Sequence, residues 1–299
     1  MKTSFGIGFL LVLVAACGYA TVALFGKWIV LHHLPMYMIL TWRFGGAAIL
    51  FFILTKILNE KNQTDGKGKR ACFLLGLSGD VLQTTLFFFT VAEVGASIAS
   101  LLLYTFPLFV FLLQRFCFKQ KAFLFQWLSL GMTLIGVFLI VPCNAANMNL
   151  KGILYGLGTA ITYACYLSFG AHFTKTLPAS IASNYLTCGA SGGFALLTIF
   201  AGEPSLVPSI WPEWLAIIGL MVIATVIPLI CLVRGMQLLG ASQTALLFTL
   251  EPVVTIIFAA LLFQEPITFR IIAGSMLILL SAFVLQRKNS STSKINAEI

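Results

Sequence analysis

Gly95-Ala96-Ser97-Ile98-Ala99-Ser100-Leu101-Leu102-Leu103-Tyr104-Thr105-Phe106-Pro107 is answered, about half a chain later, by Gly240-Ala241-Ser242-Gln243-Thr244-Ala245-Leu246-Leu247-Phe248-Thr249-Leu250-Glu251-Pro252. The Gly-Ala-Ser opening, the Leu-Leu pair and the proline recur in one register, and Phe118 and Phe263 extend the match. Both copies lie in a chain of 299 residues whose apolar runs approach the roughly 20 residues a spanning helix needs. The chain therefore reads as a duplicated, all-α polytopic membrane protein. If each copy holds an odd number of spans, the two lie upside down relative to one another.

Composition leads to the same class. With 60% hydrophobic and 9% charged residues, against about 25% charged in a soluble domain, the chain has too little polar surface to cover a water-soluble globule. The net charge of +9 does not indicate nucleic-acid binding, because the basic residues fall between apolar runs, where they orient helices. Cys17, Cys72, Cys165, Cys188 and Cys231 lie in or at the ends of apolar runs, with no CxxC or Cys/His ligand spacing. Neither a disulfide framework, a metal site nor a cofactor is signalled. Lys2 and the run to Cys17 have the outline of a signal peptide, but the apolar stretch continues through Leu24 and Phe25 and is read as the first span.

Ten spans are expected, at 5–27, 36–57, 71–92, 97–115, 122–141, 152–172, 180–201, 213–235, 242–263 and 268–286. They are separated by polar or proline-bearing breaks such as His32-His33-Leu34-Pro35 and the segment Asn59 to Arg70. The first five-helix repeat occupies 1–143, the second 152–286, and 287–299 is expected to be a disordered cytoplasmic tail. Lys2, Lys56, Lys61, Lys67, Lys69, Arg70, Arg115, Lys119, Lys121, Lys175, Arg234, Arg287, Lys288 and Lys294 fall on one side, against Lys27, Lys151 and Arg270 on the other. By the positive-inside rule both termini are cytoplasmic. Five spans per repeat make the repeats antiparallel, the architecture of many secondary transporters.

The doubled Gly-Ala-Ser starts, Pro107 and Pro252, Phe263-Gln264-Glu265 and the glycine-containing run after it resemble the drug/metabolite transporter superfamily, specifically its EamA-type ten-helix exporters. Gly18 and Lys27 in span 1, and Pro35 and Arg43 in span 2, are similar to the same pattern. The resemblance covers nearly the whole chain. It departs at Cys17, where the family often has Trp, and at Gln120, where the family has an acid. What it implies is a basket of ten helices around a central cavity, with spans 5 and 10 peripheral; the composition suits a bacterial inner membrane. An amino acid or related amphiphilic solute would be its cargo, and export its activity.

Charges inside the spans are the candidate chemistry. Arg43 stands about seven residues into span 2, roughly 10 Å deep at 1.5 Å per residue. A central Arg or Asp costs about 2.5–3.5 kcal/mol on insertion scales, so such residues face a cavity or a partner. Asp80 in span 3 and Glu251 in span 9 lie near the midplane. Arg43 and Asp80 are expected either to form an ion pair fixing spans 2 and 3 or to leave Arg43 to grip an anionic group such as an amino-acid carboxylate. Glu251 has no cation in an adjacent span, so it either exchanges a coupling proton or bonds a carbonyl freed by Pro252. Asp80 is the second proton candidate.

Gln83, Tyr104, Tyr163, Asn184 and Tyr185 complete the expected substrate wall, with Tyr19, Trp42, Tyr166 and Gln237. Pro107 and Pro252 are expected to kink the middles of spans 4 and 9 and serve a gate, while Pro228 in span 8 has no counterpart in span 3. Partners are the lipid bilayer, a small solute and protons, with a monomer expected and a homodimer open. Two other classes compete. A channel is one; the other is an intramembrane serine protease built on Gly76-Leu77-Ser78-Gly79 with His172 as base, which would require Ser78 and His172 to touch.

The charge asymmetry predicts that a reporter active only in the cytoplasm works when fused at Thr64 or after Lys294 and fails at Asn147 or Ser205. Reporter assays of the four fusions check this, and activity at Asn147 contradicts the ten-span topology.

Overall fold

A computed structural model of the chain describes residues 2–57, 66–116, 124–140, 149–173, 177–203, 207–239 and 250–281. Most of these residues are helical, with no strand among them. In lipid the backbone must satisfy its own hydrogen bonds, and long apolar runs do so as helices. They are α1 (Lys2–Leu31), α2 (Met36–Ile57), α3 (Gly66–Leu75), α4 (Val81–Leu103), α5 (Phe106–Phe116), α6 (Leu124–Ile140), α7 (Leu150–Phe173), α8 (Ala179–Phe200), α9 (Trp211–Ile218), α10 (Ile227–Leu239), α11 (Glu251–Phe263) and α12 (Phe269–Ser281). Among the described residues, four stretches, Gly6–Leu31, Met36–Ile57, Gly66–Leu103 and Trp211–Leu232, are long and apolar enough to cross a bilayer. Ile49, Phe52, Phe138, Leu261 and Leu262 lie exposed on the outside, which suits lipid and not water.

Two π-helical stretches join helices end to end: Gly76–Asp80 links α3 to α4, and Gly219–Val226 links α9 to α10. They fall at matching places in the two copies, since Thr225 stands to Asp80 as Pro252 stands to Pro107. The first half of span 9, the ends of spans 5 and 10, and the 287–299 tail lie outside the described residues.

Span 3 does not run straight into span 4. Gly95, at φ +85°, turns the chain back on itself inside α4. Thr90 and Leu102, which about 18 Å of straight helix would separate, both abut Gly156 of α7. The turn is fixed from outside. The Glu265 carboxylate accepts the N–H groups of Ala96 and Ser97 at 2.9 and 3.0 Å, satisfying donors that a helix start leaves orphaned. It also holds the Lys27 ammonium at 2.5 Å. A Cβ on Gly95 would come within 2.6 Å of Glu265 Oε1. The same device starts α2, where Tyr37 and Met38 donate their N–H groups to Glu203 at 3.0 and 2.8 Å.

Pro107 differs from expectation: it is the second residue of α5, after a turn at Tyr104-Thr105, where its missing N–H is harmless and it bends no continuous helix. Pro252 is the second residue of α11, and the residues just ahead of Leu250 lie outside the described residues.

The largest helix contacts pair α2 with α8, α4 with α7 and α1 with α10, each joining one half of the chain to the other. Small residues permit these approaches: Gly76 meets the Leu186 backbone, Gly189 the Phe73 backbone and Gly18 the ring of Pro228. A core of Leu40, Phe44, Phe88, Phe194 and Leu220 fills the space between them, with the Phe44 and Phe194 rings stacked at 5.5 Å.

Gly95→Ala should lower stability by about 1–3 kcal/mol, the cost of a left-handed non-glycine residue, whereas Gly6→Ala, with open space around it, should be neutral. Burial pushes the Glu265 carboxyl up, but the bonds from Lys27, Ser97 and Ala96 outweigh it and hold it below the usual carboxylate range. Its stabilisation is therefore complete above about pH 4.3 and is lost as the pH falls further. Thermal unfolding in detergent across pH checks both statements.

Candidate functional site

Between α1, α2, α4, α7, α8, α10 and α11 the structure encloses a cavity of about 470 Å³. Of the residues expected to bind a solute or proton, Arg43, Asp80, Gln83, Tyr104, Tyr163 and Glu251 line it, together with Tyr19 and Tyr166. Residues scattered over most of the chain are thus gathered at one place.

Arg43, only 7% exposed, is carried by the buried face of α2. Its Nε donates to Thr225 Oγ1 at 3.0 Å, and its guanidinium lies 4.8 Å from the centre of the Phe44 ring. Thr225 is positioned by the π-helical stretch: its hydroxyl donates to Leu220 O, five residues back, at 2.8 Å and leaves a lone pair for Arg43. Nη1 of Arg43 is buried and has no hydrogen-bond partner among the described residues. A buried donor on a charged group is costly to leave unmade. The guanidinium is therefore held at Nε, while its buried Nη1 has no acceptor among the described residues.

The expected Arg43–Asp80 ion pair is not formed. The ion pairs among the described residues are Lys27–Glu265 and Lys151–Glu93. Arg43 turns instead toward Thr225 in the second copy, and Asp80 Oδ1 accepts the Thr84 hydroxyl at 3.3 Å. Asp80 ends the π-helical stretch Gly76–Asp80, and such stretches often mark functional positions because they re-aim side chains.

Glu251 is the first residue of α11, and Tyr104 donates its hydroxyl to Glu251 Oε2 at 2.8 Å. Aromatic rings continue the wall from there. Tyr104 meets Phe106 edge-on at 6.1 Å, Phe106 meets Tyr163 at 4.9 Å, and Tyr163 lies parallel to Tyr166 at 6.3 Å. The cavity thus carries a cation, two carboxyls and a run of aromatic faces.

Other expected residues lie elsewhere. Asn184 donates to the Ala48 carbonyl at 2.6 Å and ties α8 to α2, and Tyr185 packs against the cluster of Cys72, Leu177 and Ile181; neither lines the cavity. Trp42 is exposed and pairs with Trp214 at 6.0 Å. Ser78 is exposed, and its hydroxyl donates to Leu74 O at 2.8 Å, away from the cavity. The side chains of His172 and Gln237 lie outside the described residues. Thr225 and Thr255 were missed as wall residues. The signal for Thr225 was present in the duplication, since it occupies the place of Asp80 in the second copy.

Comparison with known proteins places this geometry among transporters. The profile of the EamA-like transporter family matches residues 6–141 and 150–287. An uncharacterized transporter of Bacillus subtilis, YdfC, is 29% identical over 251 residues, covering 82% of this chain and 78% of that protein. An uncharacterized transporter of Archaeoglobus fulgidus is 24% identical over 251 residues, covering 82% and 87%. A solved crystal structure shares the fold with a TM-score of 0.64 at 17% identity, over 95% of this chain and 96% of the other.

Because Arg43 and Asp80 share the cavity without a direct bond, their contributions to stability should be only weakly coupled. Unfolding of Arg43→Gln, Asp80→Asn and the double variant should give a coupling below about 1 kcal/mol. A coupling nearer the 3–5 kcal/mol typical of breaking a buried pair would show a direct bond in the membrane.

Proposed function

The chain belongs to the EamA-like transporter family, and from that premise we propose that it is a secondary transporter that carries a small solute bearing an anionic group, such as an amino acid, by alternating access. It crosses a bacterial inner membrane ten times as two inverted five-helix repeats, with both termini in the cytoplasm, and acts as a monomer in exporting its cargo. The observation that carries this reading is the buried Nη1 of Arg43, which has no hydrogen-bond partner among the described residues, on a side chain that lines the cavity. A carboxylate entering the cavity supplies the missing acceptor and forms a charge-assisted bond of short length and high directionality. The aromatic and aliphatic wall of Tyr163, Phe106, Leu103 and Leu186 takes the apolar remainder of the solute.

Glu251 supplies the coupling. Its carboxyl shares the cavity with Arg43 and is oriented by the Tyr104 hydroxyl. A proton gained from one side and given up to the other changes the charge of the cavity as the solute moves. The break ahead of α5, where Pro107 stands, and the matching Pro252 in the second copy are the places where the two repeats would flex.

Thermal unfolding of the detergent-purified protein against amino acids, amines, nucleotides and sugars tests the reading. A solute that binds only the folded state at about a hundredfold over its Kd adds about 2.7 kcal/mol. Carboxylate-bearing solutes should stabilise the wild type, their amides should not, and Arg43→Gln should abolish the effect. Equal stabilisation of Arg43→Gln would contradict the role of Arg43.

A further inference from the structure

Three walls of the cavity run toward the same end of the molecule and meet there on one carboxylate. α1 lines the cavity with Tyr19, Val22 and Ala23 and continues beyond it to Lys27; α4 lines it with Ser100, one turn from Ser97; α11 lines it with Thr255 and leads on to Glu265, which follows the helix. Glu265 binds Lys27 at 2.5 Å and the N–H groups of Ala96 and Ser97 at 2.9 and 3.0 Å. The ammonium also lies 5.4 Å from the centre of the Phe263 ring. Both charged side chains are largely enclosed, Lys27 at 20% and Glu265 at 11% exposure. The chain at this junction is shaped for the contact, with Gly95 and Gln264 in left-handed conformations on either side of it.

We propose that the Lys27–Glu265–Ser97 junction is the outer gate of the transporter, and that it holds the outer end shut in the solute-free protein so that the cavity loads from the cytoplasm. The proposal rests on the cavity and topology readings above. Moving any of the three walls outward separates Glu265 from a donor and leaves a desolvated carboxylate or ammonium without its partner. The corresponding position in the first copy is Gln120, which stands to Phe118 as Glu265 stands to Phe263. An uncharged amide cannot form an ion pair there, so the duplication has kept an ionic carboxylate at one end only. That inequality biases an otherwise two-fold arrangement toward one side.

The test uses the full chain in right-side-out and inside-out vesicles, with its seven cysteines replaced and a single reporter, Ser183→Cys, in the cavity wall. A membrane-impermeant methanethiosulfonate should label the reporter quickly from the cytoplasmic face and slowly from outside. Lys27→Met, which spares the bonds to Ala96 and Ser97, and Glu265→Gln should each raise the outside rate by about tenfold or more, as expected for loss of a charged hydrogen bond. Full labelling after detergent solubilisation, with an unchanged size-exclusion profile, shows that each variant is folded. An outside rate unmoved by either substitution, or a wild type labelled equally fast from both faces, overturns the gate. No solute enters this experiment, so its failure would leave the Arg43 binding result standing, and failure of Arg43 to bind carboxylates would leave the gate standing.

Discussion

A charge inside a bilayer must have an answering group, and the architecture of this protein follows from how few such groups it has. Arg43 is buried, held at Nε by Thr225, and at Nη1 has no acceptor among the described residues. Moving such a group away from water is costly on every scale, so helices from both halves of the chain close around it. The contact of α2 with α8 brings Phe44 and Phe194 together beside it, and the π-helical stretch after α9 turns Thr225 toward it. The same requirement is met differently at the cavity's edge, where Glu265 and Lys27 answer each other and the helix start between them needs a carboxylate as well.

Duplication explains why these solutions recur. Each copy has a Gly-Ala-Ser segment, a proline opening a later helix and, earlier, a π-helical stretch. The copies have diverged where chemistry differs: Asp80 in one and Thr225 in the other end up at the same cavity, one as a carboxyl and one as the acceptor for Arg43. Halves that contact each other more than themselves cannot fold as separate bodies, and glycines such as Gly76 and Gly189 allow the backbones to meet.

Hydrophobic run length made the helices legible in the sequence; α2 begins and ends where the run from 36 to 57 does. Depth arguments put Asp80 and Glu251 near the midplane and Arg43 nearer the outer boundary, because a fixed rise per residue converts position into depth, and all three line one cavity. Rotation about the helix axis was not legible. Asn184 and Tyr185 lie at a plausible depth, yet one ties α8 to α2 and the other packs into an apolar cluster. Nor could spacing reveal that Arg43 turns away from Asp80, since the choice depends on a threonine almost two hundred positions later being aimed by an irregular helix. The partners of Glu265 were hidden for the same reason: backbone N–H groups have no sequence signature until the turn at Gly95 exposes them.

The account stands most directly on whether Glu251 changes its protonation as the cavity alternates. Glu251→Gln keeps the size and hydrogen-bonding of the neutral acid but cannot titrate, so reconstituted in vesicles under a pH gradient it should still exchange solute across the membrane while failing to accumulate it. Accumulation by Glu251→Gln at the wild-type rate, with the wild-type dependence on pH, would contradict the account and move the proton to Asp80.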